Sequence, residues 1–168
     1  MKYFVSIFFS LFFTILSNTV SAASLTDEAT SRGINPDCIT HLNTIEKSLG
    51  LSGLNLTFAN PEETTTHPSL HSSTTHFNNG ASIFSATLLP NLESCDVSIV
   101  LSTFVNNQSC EEVTQTRVVA DETLKVERYA DGVYTHIYPE SNAYQLVLVS
   151  TGEQSCAMTE SRMMWLGK

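Results

Sequence analysis

The chain is poor in charge. Only 15% of its 168 residues are Asp, Glu, Lys or Arg, against roughly 25% in an ordinary soluble domain. Cationic side chains are the scarcest: eight Lys and Arg stand against seventeen acids, a formal net charge of -9. That leaves no positive footprint for a phosphate backbone and argues against nucleic-acid binding. The motifs that announce catalysis are missing too. There is no G-x-S-x-G, so a nucleophile elbow is excluded. There is no H-E-x-x-H, no Walker loop and no G-x-G-x-x-G. No C-x-x-C pair occurs, and no Cys stands at zinc-ligand spacing from a His. The sequence therefore assigns no cofactor, no resident metal and no catalytic residue.

Long apolar runs are limited to one. Phe4 to Leu16 is almost unbroken, follows the short basic start Met1-Lys2-Tyr3, and gives way to Asn18 and then Val20-Ser21-Ala22-Ala23. This is the order of a secretory signal peptide with a small-residue cleavage site. A membrane-spanning helix needs about 20 apolar residues, so the run is too short for one. We expect residues 1–22 to be a cleaved signal and residues 23–168 to form a single globular domain. The protein would then be exported, periplasmic or secreted, with no stable membrane insertion. Loss of Lys2 makes the remaining chain slightly more acidic. Such a chain suits a basic protein partner, although the charge also serves solubility. Ser and Thr make up about a quarter of residues 23–168, as suits a β-rich exported domain with polar outer faces.

Cysteine is present in an even number: Cys38, Cys95, Cys110 and Cys156. In an oxidising compartment this implies two disulfides. Asp96 to Val105 reads as an extended strand of roughly 30 Å. Too few residues follow it to return Cys110 to Cys95. Cys38–Cys95 with Cys110–Cys156 is the preferred pairing, and each bridge should stabilise by about 3–5 kcal/mol in the chain-entropy model.

Along the chain, Ser24 to Arg32 predicts a short helix capped by Thr26 and ended by Gly33. Asn35-Pro36 opens a stronger helix. Its stripe Cys38, Leu42, Ile45, Leu49 has a period near 3.6, and Gly50 stops it. Leu54, Leu56 and Phe58 alternate as in a short strand. Asn60 to Asn79, rich in Thr, Ser, His and Pro, reads as a long loop. Ala81 to Leu89 and the segment from Val97 to Val105 read as strands, the second apolar on both faces and hence central. Ser109 to Glu112 is a capping box that opens a helix to about Arg117. The last third is a hairpin series: Leu124–Tyr129 and Val133–Tyr138 about Asp131-Gly132, then Tyr144–Val149 and Gln154–Trp165. No internal repeat is visible. The expected fold is α+β: N-terminal helices followed by an antiparallel β-meander, with a helix packed on one face, stabilised by disulfides.

The Asp131-Gly132 turn fixes a register that groups side chains. It sets Tyr129 opposite Tyr134, Glu127 opposite His136, and Lys125 opposite Tyr138, all on one face. Leu124, Val126, Val133 and Ile137 fall on the other. Three tyrosines, a His and a Glu on one face suggest a recognition surface. Cross-strand pairing alone would also explain them. The favoured role is a small, exported, acidic, non-catalytic binding protein, inhibitor- or immunity-like toward a basic partner. Two alternatives remain. One is a hydrolase using Glu127 and His136 as an acid–base pair. The other is a metal carrier using His67, His71 and His76, although Pro68 breaks any helical alignment of the first two. Asn55-Leu56-Thr57 and Asn107-Gln108-Ser109 fit the glycosylation pattern, relevant only on a eukaryotic secretory route.

Overall fold

The computed structural model describes residues 23–91 and 94–165; the expected signal segment lies outside them. Two helices come first, α1 (Leu25–Ser31) and α2 (Pro36–Leu49). Four strands follow: β1 (Asn55–Phe58), β2 (Ser69–Phe77), β3 (Gly80–Pro90) and β4 (Cys95–Asn106). Then come α3 (Cys110–Ala120) and four more strands: β5 (Lys125–Tyr129), β6 (Tyr134–Tyr138), β7 (Gln145–Gly152) and β8 (Ser155–Met164). All eight strands form one antiparallel sheet in the order β1-β2-β3-β4-β8-β7-β6-β5.

The α+β class, the antiparallel sheet and the two disulfides agree with expectation. The arrangement does not. Instead of helices followed by one meander, the chain runs helix then four strands twice over, with the additional helix α1 ahead of the first set. The sheet order is symmetric about the β4–β8 seam. Each half has its own disulfide joining the start of its helix to its fourth strand. Cys38 of α2 binds Cys95 of β4, and Cys110 of α3 binds Cys156 of β8. Each half also has its own core. Leu25, Ala29, Leu42 and Ile45 pack with Phe84, Leu88, Val97 and Ile99. Cys110 and Val113 pack with Ile137, Leu146, Leu148 and Met158.

Local chemistry explains the helices. Asn35 caps α2 by accepting from the Asp37 N–H, Pro36 fills the first helical position, and Gly50 ends it at φ 62°. Ser109 and Glu112 complete the capping box of α3. The cap of α1 is Ser24 rather than Thr26. Thr26 instead binds Glu46, a buried carboxylate of α2 that also accepts from the Leu25 N–H at 2.6 Å and the Thr26 N–H at 3.0 Å. One acid thus holds the first turn of α1 against α2.

Three further expectations are corrected. The segment expected to be a long loop contains β2, which pairs with β3 from Ser69–Leu88 to Phe77–Gly80. Gly80 sits where a Cβ would lie 1.9 Å from the Phe104 carbonyl oxygen, so the hairpin needs glycine there. Val133 is not a core residue: it follows the tight turn Ala130–Gly132 in helical backbone and is exposed. Leu49, expected on the buried stripe, is also exposed.

Candidate functional site

All three helices pack on one face of the sheet. The registers join the two halves into common rows, so Phe84 neighbours Leu101 and Thr103 neighbours Met158 on that covered face. The opposite face has no element across it among the described residues. One row there runs Thr74, Ile83, Ser102, Thr159, Val147, His136, Glu127, through seven adjacent strands. At about 4.8 Å per strand it is roughly 30 Å long. The next row runs His76, Ala81, Phe104, Ala157, Val149, Tyr134, Tyr129.

The chemistry of this face is unusual for a water-facing surface. It collects Leu56, Phe58, Leu70, Ile83, Val100, Phe104, Tyr129, Tyr134 and Val147, most of the exposed large apolar side chains among the described residues. Between them lie hydroxyls: Ser72 bonds Ser85, and Ser102 bonds Thr159, each at 3.2 Å. Only Asp96, Lys125 and Glu127 bring charge to its strand positions. The other acids among the described residues sit on helices, in turns or on the covered side. With eight strands the face measures on the order of 800 Å², about one partner's share of a standard protein–protein interface. Exposed apolar side chains gathered on one uncovered face mark interaction sites.

The tyrosine cluster lies at one end of the face, in the register expected from the Asp-Gly turn: Tyr129–Tyr134, Glu127–His136 and Lys125–Tyr138. Asp131 at φ 55° and Gly132 at φ 87°, with Val133 N–H bonded to the Ala130 carbonyl, form the turn that sets it. The Glu127 carboxylate accepts from the Tyr129 hydroxyl at Oε2 and from the Tyr138 hydroxyl at Oε1, 2.8 Å. Those bonds hold its pKa below the usual carboxylate range and raise those of both phenols. His136 stacks on Tyr138 with centroids 4.6 Å apart. Tyr129, Tyr134, His136, Gln145 and Val147 line a hollow of about 380 Å³.

Glu127 and His136 do not share a short hydrogen bond here: His136 Nδ1 lies 3.9 Å from Glu127 Oε2. Both Glu127 oxygens are bound by phenols, and His136 Nε2 is buried with no hydrogen-bond partner among the described residues. The three loop histidines do not converge either. His71 points into the core from β2, whereas His76 alternates to the opposite face. His67 Nδ1 lies 2.7 Å from a Glu63 carboxylate oxygen in the turn before β2. Among the described residues no group of three or more His, Cys, Asp or Glu could hold a metal.

The register of the tyrosine end is legible in the sequence; the rest of the face is not. The signal for β2 was weak because its buried positions are Ser69, His71 and Ser73. The one available hint was the asparagine turn Asn78-Asn79 beside a Thr-rich run. Leu56 and Phe58 alternate as a strand should, but they face outward and Thr57 is buried. No helix among the described residues is long and apolar enough to cross a membrane. No family model, no curated protein and no solved structure matches this chain.

Proposed function

We propose that this is an exported, disulfide-stabilised, non-catalytic binding protein that engages a protein partner through the uncovered face of its eight-stranded sheet. The observation that carries the reading is the concentration of exposed Leu, Ile, Val, Phe and Tyr on that face. Two buried disulfides suit an oxidising compartment. The rigid sheet and the bonded tyrosines supply a pre-organised surface, which lowers the entropic cost of binding. The net negative charge attracts a basic partner at long range, while the face itself makes apolar and aromatic contacts. An inhibitor- or immunity-like role against a basic enzyme is the finer form of this reading.

The test places a photo-crosslinking residue at Ser102 or Val147 on the face, and at Thr116 on the helix side, in the protein expressed in its own host. Adducts with one protein from the face positions and none from Thr116 support the reading. Adducts only from Thr116, or from no position, overturn it. Intact mass of the same material tests export: loss of 22 or 23 residues and no free thiol is the expected result.

A further inference from the structure

The carboxylate at the tyrosine end has an unusual set of neighbours. Every nearby cation is matched to another acid. Lys125 Nζ lies 3.3 Å from Glu140, and Arg128 reaches back to Glu111 of α3 at 2.9 Å. Glu127 has no Lys or Arg partner among the described residues. It holds two phenol hydroxyls, which fix the rings without cancelling its charge. Its side chain remains about half exposed, and beside it lies the hollow lined by Tyr129, Tyr134, His136 and Val147. Tyr129 and Tyr134 are directly opposed across the strands, which puts their Cβ atoms about 5 Å apart.

An ionised carboxylate bonded to phenols, beside an open hollow lined by aromatic rings, complements one kind of group. A cation over a ring face gains from the quadrupole, and a guanidinium also stacks on it. The same cation can bond the carboxylate lone pairs that the phenols leave free. We infer that Glu127, Tyr129 and Tyr134 form a subsite for a cationic side chain of the partner protein, arginine above all. This inference rests on the docking face proposed above and names what its tyrosine end recognises. The apolar middle of the face then supplies contact area, and this end supplies selectivity for a basic surface.

The test uses the exported, disulfide-bonded protein at pH 8. It is titrated with N-acetyl-arginine methylamide and with the matching citrulline compound, which is uncharged and nearly isosteric. The readout is the ring resonances of the tyrosines in NMR spectra. The expected result is a shift at Tyr129 and Tyr134, with citrulline binding about five-fold more weakly or worse. Glu127→Gln should remove the preference for arginine, with the rest of the spectrum unchanged. Tyr134→Leu, which leaves the carboxylate and both phenol donors in place, should weaken arginine binding as well. Equal response to both compounds, retained preference in Glu127→Gln, or no shift up to the solubility limit overturns the subsite. None of those outcomes alters the crosslinking result at Ser102, so the subsite and the docking face fail separately.

Discussion

The Ser69 hydroxyl lies 2.8 Å from Nε2 of His71, and the Thr57 hydroxyl lies 3.0 Å from Nδ1 of the same ring. The imidazole is fully buried, and burial pushes its pKa down from 6.5 to about 4. It is therefore neutral in the folded protein and binds a proton more readily once unfolded. A depressed folded-state value of this sign gives stability that is fully present above pH 6.5 and is lost as pH falls from there toward 4. The difference amounts to about 3 kcal/mol. Urea unfolding should show the midpoint dropping between pH 6.5 and 4.5, above the range where most carboxylates titrate. In His71→Asn this pH dependence should flatten, even though the variant starts less stable.

The two disulfides close loops of similar length, with separations of 57 and 46 residues. The chain-entropy model gives each about 4 kcal/mol. Replacing either pair with alanine should therefore cost comparable stability, measured by denaturant midpoint at pH 7. A cost confined to one bridge would show that the halves are not equivalent in energy.

Glu46 answers two backbone N–H groups and a hydroxyl at the start of α1. Hydrogen bonds to a charged acceptor are each worth about 1.5–3 kcal/mol, and buried donors left unpaired add to the loss. Glu46→Ala should destabilise by at least about 2 kcal/mol. Amide exchange at Leu25 and Thr26 should rise more than exchange in α3.

Neighbouring residues of β7 separate the two faces. Val147 is exposed and Leu148 is fully buried. Val147→Lys should change stability by about 0.5 kcal/mol or less. Leu148→Lys places an unpaired charge in the core of the second half and should abolish folding. Circular dichroism and denaturation of the two variants distinguish the outcomes.

Local chemistry was legible where one signal dominates. Asp131-Gly132 gave the register of Tyr129, Glu127 and His136 because a two-residue turn leaves a single pairing. The rigid length of the strand after Cys95 spoke against Cys95–Cys110, which left two pairings, of which the preferred one is observed. The wider face was not legible. It depends on β4 meeting β8, for example Ser102 beside Thr159, 57 positions later in the chain, and no local pattern encodes that contact. Nor did the repeated architecture show. The halves share the order of helix, four strands and helix-to-strand bridge, but matching positions carry different residues, such as Val97 in β4 and Met158 in β8, each two residues after its bridge cysteine. β2 escaped because Ser69, His71 and Ser73 fill buried places by hydrogen bonding and small size rather than by hydrophobicity.

The seam between β4 and β8 also sets an order of events during synthesis. Every other strand pairing joins neighbours in sequence, so each half can condense early from short-range contacts. The first half then waits with β4 as an open edge of twelve residues, carrying Val97, Ile99, Val100 and Leu101. Until β8 emerges, that edge is a template for any stray strand. The slow and vulnerable step of maturation is thus closure of the central seam. Truncation anywhere before Ser155 leaves the edge permanently unprotected and favours aggregation over a stable half-protein.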